Sequence, residues 1–96
     1  LRLSLDYTAA YGTDSETVRR ILLDTARLYP AILDAPAPAV LLSRMSESAL
    51  VFTLYAYCLI DDYYSVPGEM NERVKAAFAK EGVSIPFPQL DVHVTQ

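Results

Sequence analysis

Ala39-Val-Leu-Leu-Ser-Arg-Met45, Ser46-Glu-Ser48 and Ala49-Leu-Val-Phe-Thr-Leu-Tyr-Ala-Tyr-Cys-Leu-Ile60 decide the fold. The first and third segments read as strands, and the polar middle is short enough for a hairpin. Leu50, Phe52, Leu54, Ala56 and Cys58 share one face of the longer strand, and Val51, Thr53, Tyr55 and Tyr57 share the other. Each side of this hairpin carries a helical segment, and each helix is flanked in turn by a strand-like one.

Upstream, Leu1, Leu3, Leu5 and Tyr7 alternate with Arg2, Ser4, Asp6 and Thr8, the pattern of a half-buried strand. Tyr11-Gly-Thr-Asp-Ser-Glu16 turns into a helix, with Thr13 as N-cap and Glu16 completing a capping box. Val18, Ile21, Leu22, Thr25, Ala26 and Tyr29 recur at helical spacing and form its packing face. Pro30 is expected to end or bend this helix, and Asp34-Ala-Pro-Ala-Pro38 is a stiff connector. Downstream, Asp61-Asp62 ends the third strand, and a second helix begins near Tyr64 or Ser65. Pro67 falls in its first turn, where no donor is lost. Val66, Met70, Val74, Ala77 and Phe78 make its buried stripe, and Gly82 suits the C′ position. Val83–Ile85 is expected to form a short fourth strand.

The order β-α-β-β-α-β predicts an α+β, ferredoxin-like sandwich with two helices on one face of the sheet. One extra strand follows. Pro86 and Pro88 fix φ and remove donors, so they act as a rigid spacer. Leu90, Val92 and Val94 then alternate with Asp91, His93 and Thr95. The chain divides into a domain over 1–85 and a spacer with an oligomerisation strand over 86–96. A strand held away from its own domain must pair elsewhere, which points to assembly.

Composition narrows the function. Ninety-six residues make one domain with one modest core. The hydrophobic share of 52% is high for that size and leaves apolar surface for a partner. A net charge of −4 and a pI near 4.7 argue against a nucleic-acid footprint. Cys58 is the sole cysteine, so no disulfide closes within the chain, and a reducing compartment is the easier reading. The longest apolar-rich run, Ala49–Ile60, is 12 residues and too short for a membrane helix, which needs about 20. The chain begins without Met, already in strand alternation, and so reads as a piece of a longer protein.

Chemistry-bearing residues are sparse. Tyr55 and Tyr57 could stack bases on a sheet of this topology, but the RNA-binding signature is missing and the charge has the wrong sign. The loop Ala10-Tyr-Gly-Thr-Asp14 lacks the Gly- and Arg-bearing cradle that an acyl-phosphate hydrolase needs. Asp61, Asp62 and Asp34 read as solvated turn residues, and the single histidine, His93, as structural. Cys58 and His93 lie on different strands and form no catalytic pair. No catalytic residue, metal site or cofactor is expected.

Gly82-Val-Ser-Ile-Pro-Phe-Pro-Gln-Leu-Asp-Val-His-Val94 resembles the terminal Gly-Ile-x-Ile-Pro-Phe-Pro-Gln run of the C-terminal cytoplasmic α/β domain of small-conductance mechanosensitive (MscS) channels. Tyr11-Gly-Thr-Asp14, Pro36-Ala-Pro38 and Glu72-Arg-Val-Lys-Ala-Ala-Phe78 add to the likeness. The resemblance implies seven subunits around a membrane pore, with the cytoplasmic domains building a hollow cage beneath it. It implies that Pro86, Phe87 and Pro88 are the spacer and that Leu90, Val92 and Val94 belong to a parallel barrel closed by one strand per subunit. The channel would open under tension and release ions and small solutes in hypo-osmotic shock, on the cytoplasmic side of the inner membrane. It would be a homo-oligomer with no nucleic-acid partner and no enzymatic activity. The competing reading is a free-standing ferredoxin-like ligand-sensing or dimerisation module. A small enzyme on the same scaffold is a third class, with no reaction to assign to it.

Overall fold

A computed structural model of the chain describes residues 1–86. The elements run β1 (Arg2–Ala9), α1 (Ser15–Arg27), β2 (Ala39–Met45), β3 (Leu50–Tyr57), a 3-10 turn (Ile60–Asp62) and α2 (Val66–Glu81). The sheet has three strands in the order β1-β3-β2, and both neighbours are antiparallel to β3. The fold is α+β, with both helices applied to one face of the sheet.

Alternation explains that face. Leu3 lies opposite Ala56, Leu5 opposite Leu54 and Tyr7 opposite Phe52, while Val40 sits across from Leu54. Onto these pack Val18, Ile21, Leu22 and Ala26 of α1 and Val66, Met70, Val74 and Phe78 of α2. Phe52, Leu54, Ala56, Leu22 and Met70 are fully buried, so one core joins the sheet to both helices. Tyr29, just past α1, carries the Arg73 guanidinium 4.3 Å from its ring centroid and ties α2 to the end of α1. At the far end of α2, Gly82 takes φ 74°, which favours glycine, and its amide donates to the carbonyl of Ala79.

Several expectations are corrected. The N-cap of α1 is Asp14, not Thr13: Asp14 Oδ2 accepts from the Thr17 amide (3.1 Å) and hydroxyl (2.9 Å). Thr13 is committed to the preceding turn, where its amide donates to Ala10 O (3.0 Å). Glu16, free of a capping box, pairs with Arg19 one turn on. The third strand stops at Tyr57 rather than Ile60, because the chain leaves the sheet in the 3-10 turn and exposes Leu59 and Ile60. Val83–Ile85 is not a strand: it makes one bond to the sheet, from the Ala10 amide to Ser84 O (3.1 Å). The described sheet therefore has the 1-3-2 part of a ferredoxin-like order without the fourth strand.

The two outer strands end differently. Between Leu42 and Arg44 the β2 register shifts through a bulge at Ser43. The Arg19 side chain reaches over from α1, and its Nε donates to Val40 O in a long bond of 3.4 Å.

Candidate assembly site

The open face of the sheet is less solvated than alternation alone predicts. Val51 and Thr53, expected to point outward, are 2% and 6% exposed. Thr53 Oγ1 donates to Asp6 Oδ1 (2.6 Å) and lies 2.8 Å from Ser43 Oγ, so a polar chain crosses all three strands. A buried hydroxyl with partners on both sides offsets its lost hydration. Tyr55 and Tyr57 are half-buried on the same face, and the Arg2 guanidinium lies 5.0 Å from the Tyr55 ring centroid. This occupies Tyr55 with a cation within its own chain rather than with a base.

The other sequence candidates do not converge. Cys58 is buried in the core. Asp61 and Asp62 sit in the 3-10 turn, and Asp34 lies exposed in the connector. Among the described residues, no cluster of three or more His, Cys, Asp and Glu side chains could hold a metal. No helix of the described residues is long and apolar enough to cross a membrane. Of the assembly residues, Pro86 is half-buried at the end of the described chain. Phe87, Pro88, Leu90, Val92 and Val94 lie outside the described residues, as does His93.

What the sequence did not reveal is the surface that Ile85 borders. A groove of about 240 Å³ runs between β1 and α2, with Tyr7 and Thr8 on one wall, Asn71, Val74 and Phe78 on the other, and Ile85 at one end. Tyr7 donates its hydroxyl to Asn71 Oδ1 (2.8 Å), bracing strand against helix. Burial pushes the Tyr7 phenol from 10.0 up to about 12. The folded value is the raised one, so its contribution to stability is complete below pH 10.0 and is lost as pH climbs through about 12. Stability should therefore fall across that alkaline window. Tyr7→Phe should flatten the fall, as read by urea unfolding at stepped pH; an unchanged slope would mean that Tyr7 is not the group responsible.

The outer edge of β1 borders this groove. Leu1 and Cys58 exchange both backbone bonds, at 2.9 and 3.0 Å. Odd-numbered β1 residues therefore turn their N–H and C=O toward β3, and Arg2, Ser4, Asp6 and Thr8 turn theirs outward. The Ala10 bond to Ser84 continues the outward set.

Comparison with known proteins agrees on one family. A family model described as "Mechanosensitive ion channel MscS, C-terminal" matches residues 3–85. A small-conductance mechanosensitive channel of Edwardsiella ictaluri is 30% identical over 95 residues, which is 99% of this chain and 33% of that protein. The miniconductance mechanosensitive channel MscM of Escherichia coli is 29% identical over 94 residues, 97% of this chain and 8% of its own length. The crystal structure of Helicobacter pylori MscS in its closed state superposes with a TM-score of 0.87 at 26% identity, covering 100% of this chain and 38% of that one. The chain thus spans between 8% and 38% of the length of these relatives.

Proposed function

Since this chain belongs to the MscS family of mechanosensitive ion channels, as its C-terminal domain, we propose that it is the wall and closure element of a cytoplasmic cage beneath a tension-gated pore. The family consists of channels and not of enzymes. In this reading the parent sits in the inner membrane with the domain on its cytoplasmic side, and seven copies enclose a chamber. Opening under tension would release ions and small solutes in hypo-osmotic shock. Residues 1–85 would form the wall, and 86–96 would join the copies: Pro86, Phe87 and Pro88 as spacer, Leu90, Val92 and Val94 in a shared barrel.

The observation carrying this is the family match over residues 3–85, to a model of the C-terminal part of these channels.

Deleting residues 86–96 from the full-length parent should reduce recovery of the heptamer in detergent and survival of cells on osmotic downshift. Full assembly together with full protection would overturn the reading.

A further inference from the structure

We infer that the Arg20–Glu81 ion pair is a salt-released latch on the stretch through which the chain leaves α2. The latch belongs to the domain itself; only its bearing on osmotic downshift rests on the reading above.

The ion pairs of the described residues differ in reach. Arg19–Glu16, Arg20–Asp24 and Arg73–Glu69 each lie within one helix, whereas Arg20–Glu81 joins α1 to α2. Its geometry is a fork: Arg20 Nη1 donates to Glu81 Oε2 (3.3 Å) and Nη2 to Oε1 (2.8 Å). Two parallel bonds fix direction as well as charge. They hold the Glu81 carboxyl below its ordinary range. Glu81 also stands at the negative end of the α2 dipole, which disfavours a carboxylate. Lys80 and Arg20 offset that, and only Arg20 does so from another element. The Arg20 and Glu81 side chains are 51% and 36% exposed, so dissolved ions reach both.

A second cation joins the helices elsewhere. Arg73 of α2 lies over the Tyr29 ring, with its Nε shut away from water and Glu69 of the same helix beside it. Arg20 meets Glu81 and Tyr29 meets Arg73, so the helices run antiparallel and are joined at two levels. The shielded contact resists screening, and the open one yields to it. Salt therefore loosens the Glu81 level alone. Phe78 is the last buried residue of α2, and few other contacts hold the chain beyond it. Val83 packs on the core, Ser84 O accepts from the Ala10 amide (3.1 Å), and Ile85 lines the groove. Freed from Arg20, the stretch from Ala79 to Pro86 should detach from Ala10 more often. In the channel reading, dilution of the cell interior during downshift would tighten this hold.

The test is amide hydrogen exchange by NMR on the 96-residue chain at two salt levels. The Ala10 amide reports the latched stretch, and the Leu5 amide, which faces Leu54 of β3, is the reference. Raising KCl from about 0.1 M to about 1 M shortens the screening length from ~10 to ~3 Å. The Ala10-to-Leu5 protection ratio should then fall about threefold in the wild type, within the range of an exposed pair. Arg20→Gln should start about threefold lower and show no salt dependence, and adding Glu81→Gln should lower it no further. Glu47→Gln, on the exposed hairpin turn, makes the same charge change as Glu81→Gln and should behave as wild type. A ratio indifferent to salt in the wild type, or one that still responds to salt in Arg20→Gln, would overturn the latch. Either result leaves the channel reading to the deletion of residues 86–96, which does not depend on it.

Discussion

Phe52→Ala is expected to remove most of the stability of this domain. Phe52 is fully buried at the middle of the central strand, across from Tyr7 on one side and Leu42 on the other. Truncating such a ring costs about 3–5 kcal/mol, from lost transfer energy plus the cavity left behind. A domain of this size has about 5–15 kcal/mol in total, so the variant should unfold at far lower urea with an unchanged slope. Tyr64→Ala is the comparator. Tyr64 is 93% exposed, and its removal should stay within roughly 0.5 kcal/mol. Equal effects at the two positions would mean that the helices do not cover this face of the sheet.

Leu54→Asp should be worse at neutral pH and should reveal its cause through pH. Leu54 is fully buried between Leu5 and Val40 on the neighbouring strands. A carboxylate there has no partner and loses its hydration, a penalty of several kcal/mol for a buried ion. Burial raises the carboxyl's proton affinity in the folded state above its unfolded value of about 3.9. The folded state then holds the proton where the unfolded state has released it, so the damage grows as pH rises through that window. Leu54→Asn supplies the same shape without the charge. The gap between the two variants, read from unfolding midpoints relative to wild type at each pH, should be wide at pH 7 and close toward pH 4. A gap that ignores pH would remove Leu54 from the dry centre of the core.

Much of this architecture was legible because its signals are local. The two-residue period of Leu1–Tyr7 and Leu50–Cys58 and the helical stripes of Val18–Ala26 and Val66–Phe78 each sit within one element. The misreadings come where distant residues decide. Thr13 and Asp14 are both good capping residues, and the turn back to Ala10 selects Asp14. Val51 and Thr53 alternate outward correctly, yet neighbours on β1 and β2 enclose them, among them Asp6 and Ser43. The groove was invisible for the same reason: Tyr7 and Asn71 lie 64 residues apart and meet through the packing of α2 on the sheet. Of the candidate assembly residues, Pro86 alone lies within the described residues.

The bulged, arginine-capped margin of β2 has a consequence for how copies can meet. Joining sheets side by side without limit requires two complementary raw margins on every molecule, one to give and one to receive. Here Arg19 occupies the Val40 carbonyl and the Ser43 bulge breaks the spacing of the next groups. Features of this kind blunt an edge strand against lateral pairing. The β2 margin is therefore a poor seat for a neighbouring sheet.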